Sequence, residues 1–288
     1  MVLAKSFGNF ELNFIYRMLT FPNAKINLGL NVIGKRPDGY HNIESVFYPV
    51  EWTDALEIIK ADEFSFKSSG LEIPGETANN LIIKAYKILV GAGLVFENSV
   101  NIHLHKVIPM GAGIGGGSAD GAFALKMLNE IFELNLSDLQ LEDFASQLGS
   151  DCPFFIQNRP KFCFGRGTDF EEIDFSLKGY SLVLANPQIH ISTAEAYSGV
   201  IPYTPEISIK EILKMPVSQW KELLVNDFEE KIQLNHPKIS EVKQELYSVG
   251  ALYASMTGSG STVYGIFENL PEKFSPENCV IWTGKAKF

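Results

Sequence analysis

The sequence predicts an α+β protein in which strands and helices occur in separate runs. Segments of strand periodicity and of helical periodicity follow one another without the strict alternation that builds a doubly wound parallel sheet. Hydrophobic residues make up 45% of the 288 residues, which is enough for a sizeable core in one large domain or two smaller ones. No apolar run reaches the length of a transmembrane helix.

The strands of the first half are predicted from alternating apolar and polar residues. Residues 24–32 place Ile26, Leu28, Leu30 and Val32 on one face of such a strand. A Pro-Asp-Gly sequence then predicts a turn. Further strands are predicted at residues 43–52, 55–60 and 100–106.

A helix is predicted at residues 80–91, between the strand at 55–60 and the strand at 100–106. Its apolar residues recur at helical spacing, which places Leu81, Ala85, Ile88 and Leu89 on the inward face.

The second half mixes short helices and strands around a second glycine-bearing loop, Thr257-Gly-Ser-Gly-Ser261. Periodicity and the flanking Gly and Pro residues set the expected bounds. Helices are predicted at residues 141–148, 209–213, 220–225 and 239–249, and strands at residues 180–186, 251–256 and 262–267.

The most informative segment is a glycine-rich loop that opens a helix. Five glycines fall between Gly111 and Gly117, and residues 119–132 continue with apolar residues at helical spacing. Glycines let a backbone approach another group closely, and a helix N-terminus presents N–H groups and a positive dipole end. Because so dense a run has no expected packing value, the loop predicts a phosphate site rather than a tight turn before a buried helix.

Known phosphate loops differ from this one in the residues after their glycines. No Lys-Ser or Lys-Thr comes after Gly116, so the loop is not of the Walker type. Gly111, Gly113 and Gly116 fit the dinucleotide pattern, but the segment after the helix reads as a polar connection and another helix, not as the required strand. The chain also lacks the His-Arg-Asp and Asp-Phe-Gly sequences of protein kinases.

Charge and cysteine content narrow the class of protein. The net charge of −10 argues against nucleic acid or anionic membrane as a partner. Three cysteines form an odd number without Cys-x-x-Cys spacing, which favours reduced thiols and a cytoplasmic location. Residues 1–17 lack the features of a signal peptide and are interpreted as an extension or as the result of an upstream start.

Three segments together resemble the GHMP small-molecule kinases. They are Pro22-Asn-Ala-Lys-Ile-Asn27, the glycine-rich loop from Pro109, and Met256-Thr-Gly-Ser-Gly-Ser-Thr-Val263, in this order. The resemblance covers residues 20–267 and is closest to members that phosphorylate a diphosphocytidyl alcohol, because Arg36-Pro-Asp-Gly-Tyr-His41 and Leu148-Gly-Ser-Asp-Cys-Pro153 also match. Asn23 departs from the usual Pro-Ala-Lys adjacency.

The resemblance implies a two-domain GHMP kinase fold with the active site in the cleft between the domains. Residues 1–175 would form the ATP-binding domain and residues 176–288 the substrate domain. ATP and Mg²⁺ would be the cofactors, and a small-molecule alcohol the substrate. We expect a monomer or weak homodimer.

The implied catalytic residues are Lys25 and Asp151. Asp151 matches the family's catalytic base, and Lys25 would keep that carboxylate ionised and stabilise developing charge. Two ordinary roles remain open from sequence alone: an aspartate that caps residues 154–156, and a surface lysine with its ammonium in water.

The implied nucleotide site centres on the loop. Ser118 is placed to reach a phosphate or Mg²⁺, and Asn80 keeps an amide of the adenine-side segment. Lys106 matches a nucleotide contact, with a solvated lysine at the strand end as its ordinary alternative. The predicted cofactor-binding residues are Asn80, Lys106, Pro109, Gly111, Gly113, Gly115, Gly116, Gly117 and Ser118.

The implied substrate site would recognise a cytosine by stacking and hydrogen bonding. Tyr197 stands where the family usually has Phe, and its ring can still stack on a base. The predicted substrate-binding residues are Asn27, Tyr40, His41, Thr193, Tyr197, Gly258 and Ser259. No resident metal site is predicted, because His103 and His105 share a strand face without a third ligand.

Two other functions would fit the same fold. Another GHMP kinase, such as one for homoserine, would not need aromatic residues around a base. A catalytically inactive sensor on this fold would be expected to lose Lys25 or Asp151, and the chain keeps both.

Overall fold

A computed structural model describes residues 17–97 and 99–288, and it confirms the α+β class. Residues 1–16, which fall in the predicted extension, lie outside the described residues. The strands of the described chain are β1 (Arg17–Thr20), β2 (Asn23–Lys35), β3 (His41–Thr53), β4 (Ala55–Lys60), β5 (Ser65–Gly70), β6 (Val100–Lys106), β7 (Lys161–Phe164), β8 (Asp169–Glu172), β9 (Ser181–Asn186), β10 (Tyr253–Met256), β11 (Val263–Phe267) and β12 (Val280–Lys285).

The helices are mostly short, and α2, which follows the glycine-rich loop, is the longest of those described. Two single 3₁₀ turns lie at Thr77–Asn79 and Val217–Gln219. The α-helices are α1 (Leu81–Gly91), α2 (Gly116–Ile131), α3 (Asp138–Ser146), α4 (Phe154–Gln157), α5 (Thr193–Tyr197), α6 (Ile209–Ile212), α7 (Glu229–Asn235) and α8 (Pro237–Ser248). Among the described residues, no helix combines the length and apolar character that crossing a membrane requires.

The strands form three sheets of four, in the orders β1-β4-β6-β5, β2-β3-β7-β8 and β10-β11-β9-β12. Only the β5–β6 pair is parallel within the described sheets. The first two sheets come from residues before the predicted boundary at 175 and the third from residues after it. The boundary itself stays a prediction. One hydrophobic core joins β2 and β3 to residues of the third sheet, so the two halves share buried surface.

Strand β2 carries the first functional segment through the centre of the molecule. The predicted alternation is only part of its pattern, because residues 23–32 are buried on both faces. Four polar residues, Asn23, Lys25, Asn27 and Asn31, are therefore buried along with the apolar residues of the strand. Buried polar groups of this kind require partners, and those partners build the site.

The inward face of α1 differs from the prediction. Ala85 and Leu89 are fully buried as expected, but Leu81 and Ile88 are only partly buried and Ile82 takes an inward position instead. The helix is rotated because it packs both on the first sheet and on α2. The apolar face of α2 is confirmed, since Ala122, Leu125, Leu128 and Ile131 are all buried.

The predicted helix at residues 220–225 is wrong. This segment forms turns, and the indole N–H of Trp220 donates to the carbonyl of Met215 at 3.0 Å. Trp220 is 1% exposed and packs in the shared core, so tertiary packing overrides the local helical pattern. Residues 154–156 begin the single turn α4.

Candidate active site

The three resembling segments meet around the start of α2. The backbone N–H of Lys25 donates to the carbonyl of Ile114 at 2.9 Å, which joins β2 to the glycine-rich loop. On its other side the loop meets the third segment, where the N–H of Thr262 donates to the carbonyl of Ala112 at 3.3 Å. Segments from both ends of the chain thus enclose the loop.

The glycines do have packing value, contrary to the sequence expectation. Gly113 has φ +76°, and a Cβ there would lie 2.5 Å from the carbonyl oxygen of Thr257. Gly116 could not carry a Cβ without a clash with Ile108 at 2.7 Å. By contrast, a Cβ on Gly117 would meet only Met110, at 3.9 Å. The loop is therefore held tightly by protein on one side and open at Gly117.

Lys25 and Asp151 face each other at the edge of this loop. The Lys25 Nζ lies 3.4 Å from Oδ2 of Asp151 and donates to Oδ1 of Asn27 at 2.6 Å. It also lies 4.0 Å from the ring centroid of Phe47. Lys25 is 3% exposed, so the surface-lysine alternative does not apply.

The Asp151 side chain is 29% exposed and retains access to solvent. It lies in the turn between α3 and α4, and α4 has no side-chain cap hydrogen bond, so Asp151 does not act as its cap. A carboxylate that is accessible, paired with an ammonium and next to a glycine-rich loop can accept a proton from a bound hydroxyl.

Asn27 links the pair to the third segment. Its backbone N–H donates to Thr257 Oγ1 at 2.9 Å, and its side-chain amide donates to Ser45 Oγ at 2.8 Å. Gly258 is close, since a Cβ on it would lie 3.4 Å from Asn27 Oδ1. Ser259 beside it is partly exposed. The predicted residues Asn27, Gly258 and Ser259 therefore surround one place.

The first turn of α2 forms the other wall. Gly115 is the N-cap residue with φ +71°, and the helix begins at Gly116 without a side-chain cap. The backbone N–H groups of this turn are thus free of a capping side chain, as an anion site requires. Ser118 lies in the same turn and hydrogen-bonds the Cys152 thiol, whose pKa burial raises to about 12.

A cavity of about 190 Å³ leads away from Gly117. Apolar groups line it together with amides of the 3₁₀ turn, and Pro109 directly precedes Met110 of the lining. Its lining includes Phe66, Ile73, Met110, Asn79 and Asn80. The Oδ1 atom of Asn80 caps α1 by accepting the N–H of Ile82 at 2.9 Å. The mixture of apolar walls and convergent amides fits a heterocyclic base.

Lys106 occupies a different environment from the one predicted. Its side chain is fully buried, with Nζ 2.5 Å from Oδ2 of Asp54 and 2.7 Å from Oδ2 of Asp120. Two carboxylates hold the ammonium inside the protein, so Lys106 is not a solvated lysine at the strand end, and its contact with a nucleotide stays a prediction. Lys106 also packs against the start of α2, because a Cβ on Gly116 would lie 3.2 Å from its Nζ.

Sequence reasoning missed both carboxylates of this buried triad. Asp54 also accepts the backbone N–H groups of Val107 and Ile108, at 2.6 and 2.8 Å, which fixes the entry to the loop. Burial raises the pKa of Asp120 to about 7; the Lys106 ammonium opposes the rise and the Asp54 carboxylate adds to it. The Oδ1 atom of Asp120 is buried without a hydrogen-bond partner among the described residues.

Aromatic residues gather at the opposite end of the site. The rings of His41 and Tyr197 stack with centroids 4.9 Å apart, and Phe228 meets Tyr197 edge-on at 4.7 Å. Tyr40 is 55% exposed, and the Arg166 guanidinium lies 3.7 Å from its ring centroid. Arg166 and Phe228 were not predicted; both lie outside the resembling motifs.

Thr193 is the first residue of α5, the helix that ends at Tyr197. It is exposed, whereas Ser192 supplies the helix cap.

His103 and His105 both contact a side chain of the neighbouring strand β5. Both ring systems lie 3.0 Å from the hydroxyl of Ser69, on the strand that pairs with theirs. In the described part of the chain, no three His, Cys, Asp or Glu side chains are grouped as a metal ion would need.

The comparisons with known proteins identify relatives of the whole chain. Residues 80–159 match the family described as GHMP kinases N terminal domain, and residues 208–275 match GHMP kinases C terminal. A protein of Bacteroides thetaiotaomicron named 4-diphosphocytidyl-2-C-methyl-D-erythritol kinase is 54% identical over 264 residues, which cover 90% of this chain and 95% of that protein. A relative of the same name from Parabacteroides distasonis is 50% identical over 93% of this chain and 99% of its own length.

Solved structures give the same picture. The crystal structure of a 4-(cytidine 5'-diphospho)-2C-methyl-D-erythritol kinase superimposes with a TM-score of 0.75 at 29% identity, covering 86% of this chain and 90% of that one. The mevalonate kinase of Methanococcus jannaschii has a TM-score of 0.71 at 16% identity, covering 94% and 99%, and shares the fold.

Proposed function

The chain belongs to the GHMP kinases, and we propose that it phosphorylates the 2-hydroxyl of 4-diphosphocytidyl-2-C-methyl-D-erythritol with ATP. This reaction belongs to the non-mevalonate route to isoprenoid precursors. The relatives at 50–54% identity that cover nearly the whole chain carry this name. The observation that carries the chemistry is the Lys25–Asp151 pair beside the glycine-rich loop.

The proposed step uses Asp151 as the general base. The acceptor hydroxyl gives its proton to the Asp151 carboxylate while its oxygen attacks the γ-phosphorus of ATP, and the bond from that phosphorus to the β-phosphate oxygen breaks to release ADP. Lys25 pairs with Asp151 at 3.4 Å and lies where charge develops. Its short bond to Asn27 fixes the ammonium in place.

The nucleotide would lie along the start of α2. The free N–H groups of the first turn and the open side of Gly117 fit phosphates, and the cavity of about 190 Å³ beyond them fits the base. Mg²⁺ bound with ATP would neutralise phosphate charge, and the Ser118 hydroxyl in the first turn of α2 would supply it with an oxygen ligand.

The acceptor would lie on the other side, with its cytosine among the aromatic rings. His41, Tyr197 and Tyr40 offer stacking surfaces and a ring nitrogen for the base edge. Homoserine carries no ring, so these aromatic side chains would have no base to stack on in a homoserine kinase. The predicted substrate domain, residues 176–288, supplies Tyr197 and the third segment.

A substrate panel tests the function. ADP release is measured with the diphosphocytidyl alcohol, homoserine and mevalonate at equal concentrations. We expect turnover with the first compound at least a hundredfold above the others. Faster turnover of either small alcohol would overturn the assignment while leaving the family intact.

A further inference from the structure

Four consecutive residues, Asn226-Asp227-Phe228-Glu229, together contact three parts of the proposed site: the third segment, strand β2 and Tyr197. We call this segment the brace. It lies just before and at the start of α7, and Asn226, Phe228 and Glu229 are at most 7% exposed. None of the four is part of the proposed chemistry.

Asn226 holds the third segment through backbone carbonyls. Its Nδ2 donates to the carbonyl of Met256 at 2.8 Å and to that of Gly258 at 2.9 Å. Its Oδ1 accepts the N–H of Phe228 at 3.0 Å. Both side-chain protons are thus used to fix the backbone of residues 256–258, which lies against Gly113 and Asn27.

Glu229 binds the same segment at a backbone N–H rather than at a carbonyl. Its carboxylate accepts the N–H of Met256 at 3.2 Å and the hydroxyl of Ser255 at 3.3 Å. Lys243 lies 2.9 Å from the carboxylate and balances its buried charge. Met256 is therefore bound at its N–H by Glu229 and at its carbonyl by Asn226.

Asp227 connects the brace to the strand that carries Lys25. Its Oδ2 accepts the N–H of Val32 at 2.7 Å, and its own N–H donates to the carbonyl of Leu30 at 2.9 Å. The N–H of Leu30 donates in turn to Val225 at 2.9 Å. These bonds continue the hydrogen bonding of β2 beyond its sheet.

Phe228 connects the brace to the aromatic cluster. Its ring meets the Tyr197 ring at 67° with centroids 4.7 Å apart. Because Tyr197 also stacks on His41, the position of Phe228 sets where the stacking surface lies.

We infer that the brace is a positioning element of phosphoryl transfer: it holds the third segment, strand β2 and Tyr197 in one fixed arrangement around the acceptor. The inference rests on the proposed function for the identity of that acceptor. No brace residue lines the cavity proposed for the base of ATP. Loss of the brace should therefore act on the acceptor and on the chemical step, since displacement of a reacting group by about 1 Å can cost a hundredfold in rate.

The test compares Asn226→Ala and Phe228→Leu with the wild-type protein. Asn235→Ala is the matched control, since Asn235 ends the same helix, is exposed and makes one long hydrogen bond of 3.4 Å. Four quantities are measured well below each variant's Tm: kcat and KM for the acceptor, Kd for ATP, and hydrogen exchange of the amides of residues 256–262 without substrate.

For Asn226→Ala we expect a kcat lowered tenfold or more, an ATP Kd within twofold of wild type, and faster exchange at Thr257 and Gly260. A cavity of about 670 Å³ lies along the outer side of the brace, so water can reach the carbonyls that Asn226 releases. For Phe228→Leu we expect a higher acceptor KM with unchanged exchange at the loop. The control should match wild type throughout.

A purely structural role gives a different result. If the variants show a lower Tm but wild-type kcat, KM and exchange, the inference is wrong. Faster exchange with unchanged kinetics would also overturn it, because the loop would then move without effect on the reaction. If Asn226→Ala does not fold, Phe228→Leu still decides whether the brace sets the acceptor KM.

The outcome stays separate from that of the proposed function. The exchange measurement needs no substrate, and the kinetic constants are taken with whichever alcohol the panel identifies. A wrong acceptor would therefore change the compound used and leave the comparison between variants intact.

Discussion

The ammonium of Lys25 lies 3.4 Å from the carboxylate of Asp151, with the lysine buried and the aspartate open to solvent. Buried Lys25 is fixed by Asn27, while Asp151 keeps room for a ligand. A fixed cation beside an accessible carboxylate suits a base that takes a proton from a bound hydroxyl.

Replacement of Asp151 tests this arrangement. Asp151→Asn should lower kcat by about 10² or more, because the amide cannot accept the proton. ATP binding and Tm should change little, since Asp151 caps no helix. Asp143→Asn, at an exposed position of the neighbouring helix α3, is the control. Turnover of Asp151→Asn close to that of the control would remove Asp151 from the mechanism.

The open side of the glycine-rich loop offers a test of ATP binding. Gly115 is unsuitable, because a Cβ there would lie 3.0 Å from Phe155 at φ +71° and would disturb the fold. Gly117→Val should instead place methyl groups where phosphates approach and raise the ATP Kd about tenfold or more, with little change in Tm.

Gly91→Val is the matched control for that variant. Gly91 ends α1, and a Cβ on it meets nothing within 4 Å. Calorimetry should give wild-type ATP affinity for Gly91→Val and weakened affinity for Gly117→Val. Equal affinities would place the phosphates elsewhere.

The aromatic cluster predicts the specificity of the enzyme. Stacking on a base is worth roughly 1–3 kcal/mol, so Tyr40→Ala or Tyr197→Ala should raise the acceptor KM about tenfold or more. The ATP KM should stay the same in both variants. Tyr197→Phe should be nearly silent, since the ring makes the contacts with His41 and Phe228. If Tyr197→Phe were as damaging as Tyr197→Ala, the hydroxyl would be the group that matters.

The buried triad predicts a pH dependence of stability. Burial raises the pKa of Asp120 from 3.8 to about 7, so between these values the folded protein binds more protons at this site than the unfolded chain does. The contribution of Asp120 to the free energy of unfolding therefore falls as pH rises from about 4 to about 7 and is constant above that range.

Denaturant unfolding at several pH values measures this contribution. The free energy of unfolding of wild type minus that of Asp120→Asn should fall as pH rises across that window, because the amide of the variant does not titrate. Asp143→Asn should keep the wild-type slope, since its carboxylate is exposed. Equal slopes for Asp120→Asn and wild type would mean that Asp120 stays ionised in the folded protein.

Local patterns predicted those parts of the fold whose cause is local. The strand at Lys25, the helix after the glycine-rich loop and the turn at residues 36–40 follow from periodicity and turn chemistry, and the structure has them. Strand β5 was missed because its sequence, Ser-Phe-Lys-Ser-Ser-Gly, is polar and largely exposed. Pairing with β6 makes it a strand, and no local pattern announces that pairing.

The site shows the same division. The density of glycines and the motifs shared with the family predicted Lys25 and Asp151 as catalytic residues. The pairing of Lys106 with Asp54 could not be predicted, because Asp54 is 52 residues away and lies in no motif of the sequence. The brace was missed for the same reason, because Asn226 binds Met256 and Gly258, which lie about 30 residues later in the sequence. Nothing in the sequence distinguishes the Asn226 amide from other asparagine side chains, because its role depends on the folded position of residues 256–258.

The close contact between Gly113 and residues 257–260 also constrains how the protein is made. During synthesis the loop at Gly113 leaves the ribosome nearly 150 residues before the segment that encloses it. Until that segment arrives, Gly113 lacks the carbonyls of Thr257 and Gly260 against which it packs. A growing chain therefore cannot hold the loop in its final shape, and the ability to bind a nucleotide would arise only after residues 257–260 have been synthesised.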